Sequence, residues 1–565
     1  MPILSSDVRK SDNYKWVALA NTTLGVIMAT IDSSIMLIAL PDIFRGIKLN
    51  PLLPGNSFYL LWMILSFLIV SSVLVVSFGR LGDMFGRVKM YNLGFVIYTV
   101  SSLLLAITWM HGSAAALYLV GMRVFQGVGA AFIMANSAAI LTDAFPANQR
   151  GMALGINNVA GISGAFIGLV LGGILGPIDW RLIFLVSVPF GIAGTLWAYF
   201  MLHDTKDTKS GGKIDWAGNI TFALGLILVM IGITYGIEPH GSHAMSWTSP
   251  AVLAELISGV LFLISFLIIE ANVKQPMFRL HLFKIRAFSA GVLSSFLSAI
   301  ARGGLMFMLI IWLQGIWLPQ HGYSFVRTPL WAGIFMLPLT AGILIAGPIS
   351  GILSDKFGSR PFATAGMIGS AVSFMLLDLL PIDFNYVAFA LILLLMGLSM
   401  GCFASPNRAG VMNSLPAEDR GAGGGMNSTF QNSAQVLSIG IFFTLMIIGL
   451  AATLPVHLSS GLTKYGVAPA VAASVAHLPP VSVLFAAFLG YNPVQQLLKP
   501  QVFNAIPVHD RAIITGHAFF PGLISKSFSS GLHEAFVFAV ITCLVAAAAS
   551  WFRGKKYVHS EAMDK

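Results

Sequence analysis

Fourteen apolar runs, each long enough to cross about 30 Å of hydrocarbon as a helix, restrict the fold of this chain more than any other feature. They fall near 16–40, 58–78, 90–110, 114–141, 151–176, 181–202, 216–236, 250–270, 288–315, 329–352, 361–381, 385–412, 423–453 and 533–552. Inside a bilayer every backbone amide and carbonyl must find its partner within the protein, so runs of this length form helices. Composition agrees, with 56% hydrophobic and only 10% charged residues, where soluble domains carry about 25% charged. An all-α integral membrane protein is predicted. The first run exceeds the apolar region of a cleaved signal peptide and reads as a retained span. Cys402 and Cys543 lie inside apolar runs, so neither a disulfide framework nor a thiolate metal site is expected. The formal charge of +10 is spread over short loops rather than gathered on one face, which argues against a nucleic-acid partner.

Charge does orient the chain. An even number of crossings puts both termini on one side. The loops on that side hold Arg80, Arg87, Lys89, Arg150, Lys206, Lys209, Lys213, Lys284, Arg286, Lys356, Arg360 and Arg420, while the other side has far fewer basic residues. Translocating Lys and Arg is disfavoured, so both termini are expected in the cytoplasm and the protein in the plasma membrane, with membrane lipids as its surroundings. An internal repeat follows: "GRLGDMFGR" (79–87) is echoed by "GILSDKFGSR" (351–360), and "FPANQRG" (145–151) by "LPAEDRG" (415–421). The two offsets are nearly equal, which marks two parallel halves of six spans with spans 7 and 8 inserted between them. Residues 454–532 read as a long outer loop whose piece "VSVLFAAFLG" is too short to cross and is expected to dip into the interface or cap the mouth.

These motifs, with "RVFQGVGAA" (123–131) in span 4 and a glycine series in span 5, resemble the major facilitator superfamily. Fourteen spans and "IDSSIMLIALP" (31–41) narrow the resemblance to the drug:proton antiporter group of the fourteen-span type, the multidrug efflux transporters. It implies the major facilitator fold: a six-helix bundle over 1–203, an inserted helix pair and linkers over 204–284, and a second bundle over 285–565 that includes the long loop. A monomer is expected. Gly79, Gly82 and Gly86 allow close approach of helix ends, while Asp83 can accept from helix N-terminal amides and pair with Arg87. The resemblance makes this cluster a gate, with a second copy in Asp355, Gly358 and Arg360. In span 5, Gly155, Gly164, Gly168, Gly172 and Gly173 suit close helix packing and resemble the antiporter motif, except that Leu169 stands where that motif has proline.

Asp32, Arg123, Arg302 and Arg408 are ionisable residues at membrane depth, where a charge marks a functional site. A carboxylate that desolvation raises and a cation lowers can switch its proton with geometry, as proton coupling requires. By resemblance, Arg123 tunes that carboxylate, with Gln126, Gly127 and Gly129 completing its pattern. Asp32 and Arg302 lie at similar depths on the first spans of the two halves and are expected to pair across the cavity. Trp62, Phe67, Phe307, Trp312, Gln314 and Met336 are candidates to line a lipophilic cavity. "RGAGGGMN" (420–427) lacks the preceding strand and the Gly-Lys-Ser/Thr ending of a phosphate loop, so ATP is not expected, and no metal or catalytic motif is found. The function expected is therefore not enzymatic. It is export of small amphipathic, often cationic compounds driven by the proton gradient, without a cofactor. Export or flipping of an endogenous lipid or metabolite is the alternative. Use of the fold and its outer histidines as a nontransporting pH sensor is a third.

Overall fold

A computed structural model describes residues 13–554 except 51, 52, 54, 147, 148, 205–214, 238–244, 274, 275, 277, 417, 418 and 499. Lys206, Lys209 and Lys213, used above for orientation, lie outside the described residues. Among the described residues fourteen helices are long and apolar enough to span a membrane. In the first half they are spans 1 (Tyr14–Gly46), 2 (Phe58–Phe85), 3 (Arg87–Ala106), 4 (Gly112–Ala144), 5 (Met152–Leu175) and 6 (Leu182–Met201), followed by spans 7 (Trp216–Gly236) and 8 (Pro250–Asn272). The second half comprises spans 9 (Arg286–Gln320), 10 (Thr328–Phe357), 11 (Ser359–Asp378), 12 (Tyr386–Asn413), 13 (Ala422–Lys464) and 14 (Phe519–Trp551). Hydroxyls inside spans fold back on their own helices, as Thr22 Oγ1 does onto the Ala18 carbonyl at 2.7 Å and Ser34 Oγ onto Thr30 at 2.9 Å. That satisfies a polar side chain where no water is available.

Packing repeats as the sequence does. In the first bundle span 1 lies on span 5, spans 2 and 3 on span 4, and span 3 on span 6. The second bundle has span 9 on 13, spans 10 and 11 on 12, and span 11 on 14. The inserted spans 7 and 8 pack on each other, and span 7 is anchored to the bundles through spans 2 and 13. Phe58 of span 2 stacks on Tyr235 of span 7 at 5.4 Å.

We call the side on which Tyr14 of span 1 and Trp551 of span 14 lie the terminal face and the other the distal face. The bundles meet at the distal face. Gly173 of span 5 faces the backbone of Pro329 and Leu330 in span 10, and Gly333 of span 10 lies against the Leu169 backbone, which a methyl would approach to 3.2 Å. Gln314 Nε2 of span 9 donates to the Ile38 carbonyl of span 1 at 3.3 Å. Toward the terminal face the same helices are free of one another. Gly155 has no neighbour within 4 Å, and Ile156 and Val159 of span 5 and Ile349 and Ile352 of span 10 are exposed.

The long loop differs in extent from the sequence reading. Span 13 continues to Lys464 and span 14 starts at Phe519, because apolar helix persists past Pro455 and before the last run. Between them, helices Pro469–Ala476 and Pro480–Phe488 are bent by 90°. Every residue of Pro480–Phe488 is buried, and this helix packs against spans 2 and 13 and the π-helical turn Trp312–Trp317 of span 9. Phe485 stacks on Phe443 at 5.1 Å. The apolar piece too short to cross is thus a plug between the bundles at the distal face.

Candidate functional site

Asp32 is fully buried in span 1, and its two oxygens are both engaged. Arg123 of span 4 donates to Oδ2 through Nη1, and Gln126 Nε2, one turn further along span 4, donates to Oδ1 at 3.1 Å. The same arginine amine reaches Gln126 Oε1 at 2.6 Å, its Nε reaches the Met63 carbonyl of span 2 at 3.3 Å, and its guanidinium lies 4.3 Å from the Phe67 ring centroid. Gln126 Nε2 also donates to Ser102 Oγ of span 3 at 2.9 Å. Four helices of one bundle therefore converge on one carboxylate. Removing either charge of such a pair leaves the other uncompensated, at about 3–5 kcal/mol.

Span 5 holds this site from behind. A methyl on Gly164 would come within 3.0 Å of the Ile27 carbonyl, one on Gly172 within 3.0 Å of the Ile35 carbonyl, and one on Gly168 would collide with the Ile31 carbonyl and Ser34. Three glycines at helical spacing thus press span 5 onto the backbone of span 1 on both sides of Asp32. Gly173 packs on the other bundle and Gly155 on nothing, so the five glycines of the motif divide among three surroundings.

Several sequence expectations are corrected. Asp32 is not paired with Arg302: the depths match, but span 1 turns its carboxylate into its own bundle. Arg302 stays exposed in span 9, as Arg408 does in span 12. Phe67, Phe307, Trp312, Gln314 and Met336 are at most 3% exposed and so line no open cavity in this state. Phe67 serves Arg123, and Trp312 packs on Phe384, Phe389 and Phe536 inside its bundle. Trp62 is half-buried and packs on Phe58.

At the terminal face, Arg87 bridges two carboxylates, Asp83 at 2.7 Å and Asp143 of span 4 at 2.6 Å. The expected Asp83–Arg87 pair is present, but Asp83 does not cap the following helix. That role belongs to Asp204, whose Oδ1 accepts from the Val88 amide at 2.9 Å. Gly86 has φ +105° and Gly358 φ +84°, a region only glycine occupies freely. A methyl on Gly82 would collide with Asn136, whereas one on Gly79 would find its nearest neighbour at 3.9 Å, so Gly79 is not required by packing. In the second copy, Arg360 lies over the Trp551 ring at 3.8 Å. Arg553, just past span 14, donates to Ser359 Oγ at 3.1 Å and to Asn407 Oδ1. Burial pushes the Arg553 guanidinium down to about 10, so it remains cationic at neutral pH. A cavity of about 380 Å³ opens there, lined by Asp355, Gly358, Ser359, Arg360 and Arg553 among others. Sequence reasoning missed Asp143, Asp204 and Arg553. Their signal was position, at or just beyond the ends of spans 4, 6 and 14 beside the repeated motif.

Residues 22–439 match the Major Facilitator Superfamily. The chain is similar to the riboflavin transporter RibZ of Clostridioides difficile (strain 630), at 29% identity over 432 residues that cover 76% of this chain and 87% of that protein. It is also similar to the tetracenomycin C resistance and export protein of Streptomyces glaucescens, at 26% identity over 96% of this chain and 92% of that protein. Its fold is similar to that of a bacterial homologue of the human lysosomal transporter Spinster, solved in an inward-facing, occupied conformation. The TM-score is 0.57 at 14% identity, covering 98% of this chain and all of that one.

Proposed function

Because the chain belongs to the major facilitator superfamily and is a multi-pass membrane transporter, we propose that it exports small amphipathic compounds by proton-coupled alternating access. The observation that carries the reading is the buried Asp32–Arg123–Gln126 cluster. A carboxylate held by a single guanidinium and an amide has two stable conditions: ionised and bound to Arg123, or protonated with Arg123 released. Moving between them requires a route to water, which rocking of the bundles supplies in one state and withdraws in the other. Span 5, seated on span 1 at Gly164, Gly168 and Gly172 and touching span 10 through Gly173, links the protonation site to the distal seam. A proton driven inward releases about 2.3 kcal/mol per 100 mV, and the gradient is the energy source.

The excess of basic residues in the terminal-face loops orients both termini to the cytoplasm of a plasma-membrane protein. With that orientation the cleft opens inward and the plug Pro480–Phe488 seals the outside. Asp83, Arg87 and Asp143 then sit at the inner mouth, bonded within one bundle and available to bridge the bundles when it closes. Similarity to the tetracenomycin C resistance and export protein supports drug-like substrates. Similarity to a riboflavin transporter supports a second reading, an endogenous metabolite.

The test is transport in vesicles containing the purified chain. Asp32→Asn is expected to abolish accumulation driven by a proton gradient while sparing downhill exchange of the same compound. Gradient-driven accumulation at the wild-type rate in this variant would show that coupling does not run through Asp32.

A further inference from the structure

The second bundle holds two guanidinium groups that the mechanism above does not use. Arg302, in the middle of span 9, and Arg408, near the terminal-face end of span 12, both have exposed side chains. A guanidinium exposed at membrane depth is costly against lipid, so these two are placed toward an aqueous cleft between the bundles. Among the described residues neither has a hydrogen-bond or ion-pair partner.

Most of the carboxylates that could balance them are occupied or distant, and Glu534 of span 14, which is exposed, forms no ion pair with either arginine among the described residues. Both oxygens of Asp32 are taken by Arg123 and Gln126. In the second half Asp378 is bound by His533 at 2.9 Å, Asp383 lies 3.2 Å from His321, and Asp419 is bound by Arg279. Asp355 lies in the last turn of span 10 at the terminal face. Arg302 is sixteen residues beyond Arg286 and Asp32 eighteen beyond Tyr14, which at about 1.5 Å per residue sets them at nearly one depth on opposite walls. Arg408 lies five residues from the end of its helix at Asn413, closer to the mouth. The cleft thus carries a neutralised acid–base pair on one wall and two free positive charges, in sequence from mouth to centre, on the other.

We propose that Arg302 recognises an anionic group on the transported compound, a carboxylate, sulfonate or phosphate joined to an apolar body, and that Arg408 is a second cation on its route. The inference rests on the exporter reading and deepens it. A charge at membrane depth faces a partner, a cavity or an ion pathway, and here no partner is found among the described residues while both side chains are exposed. The planar guanidinium matches a two-oxygen anion with parallel hydrogen bonds. A cationic compound, which the family resemblance led us to expect, would meet two like charges on this wall. With the cytoplasm negative, exit of an anion is also favoured by the membrane potential.

The test uses three dansyl probes that differ only in their end group: dansylglycine (carboxylate), dansylglycinamide (neutral) and dansylethylenediamine (ammonium). Fluorescence titration of the purified full chain is expected to show the carboxylate binding about tenfold or more tighter than the amide, and the ammonium weakest. Arg302→Gln removes the preference while leaving amide affinity unchanged. Arg302→Lys keeps most of the preference and guards against a folding defect, and Arg408→Gln reduces it less. Equal or no binding of the carboxylate, tighter ammonium binding, or an undiminished preference in Arg302→Gln overturns the proposal. Displacement of dansylglycine by phosphatidylglycerol but not phosphatidylcholine in mixed micelles assigns the same anion site to a lipid headgroup; displacement by neither leaves it to a small soluble anion. The two readings fail separately. Gradient-driven transport of the ammonium probe, unaltered by Arg302→Gln, sinks the anion site and keeps the exporter. Carboxylate preference at Arg302 with no gradient-driven transport of any probe does the reverse.

Discussion

The two bundles share an architecture and differ in how they treat charge. In the first, the charges of the central site and of the terminal-face motif are neutralised within the bundle: Asp32 by Arg123 and Gln126, Arg87 by Asp83 and Asp143. The second carries Arg302 and Arg408 on the cleft wall without a protein partner among the described residues. The turn after the repeated motif differs in the same sense. The helix start of span 3 is capped by the Asp204 carboxylate, while the equivalent start of span 11 carries Arg360 in its first turn and faces Arg553 and a cavity of about 380 Å³. Duplication kept the helix contacts, which depend on small and apolar residues, and let the charges diverge. On the reading proposed above, the first half holds and releases a proton and the second meets a ligand.

The largest effect that tests this contrast is expected at Asp32. Asp32→Asn leaves the Arg123 guanidinium buried and uncompensated, lowering stability by about 3–5 kcal/mol. Adding Arg123→Gln restores most of that loss, read as thermal unfolding of the purified protein. Arg302→Gln is expected to leave stability unchanged, and a comparable loss there would mean that Arg302 is also paired inside the protein. Next comes Gly168→Ala, which forces span 5 off the Ile31 carbonyl at a cost of about 1–3 kcal/mol and impairs transport. Gly155→Ala, with open space around it, changes neither. A smaller effect, about 1 kcal/mol, is expected for Asp204→Ala through loss of the helix cap. Arg553→Ala removes bonds to Ser359 Oγ and Asn407 Oδ1 but no acceptor of a backbone amide, so the first amides of span 11 are expected to exchange as in wild type. Equal destabilisation of span 3 and span 11 by hydrogen exchange would erase the distinction between the two turns. Smallest is Gly79→Ala, expected within about 0.5 kcal/mol of wild type, where Gly82→Ala displaces Asn136 and costs more. A Gly79→Ala defect as large as that of Gly82→Ala would show that the gate closes more tightly in another state than in this one.

The number of spans, the duplicated halves, the inserted pair and the glycines at the turns of positive φ were readable along the chain, because hydropathy, loop charge and glycine spacing are properties of sequence order. Burial of Asp32 and Arg123 was readable too, since a charge at that depth needs a partner. Partner choice was not. Arg123 and Arg302 are both deep enough to meet Asp32, and only the rotation of spans 1, 4 and 9 about their axes decides between them. In a soluble protein, apolar periodicity reports that rotation. In a membrane it does not, because lipid and protein interior are equally apolar and both faces of a span carry the same residues. The same blindness placed Phe307, Trp312 and Met336 in a cavity where they are core, and left open whether the short apolar piece dips into the interface or caps the mouth, since only packing between the bundles could set its 90° hairpin. Sequence order determined what crosses the membrane and how often; the tertiary structure decided which faces meet, and so which charge is satisfied and which is left for a ligand.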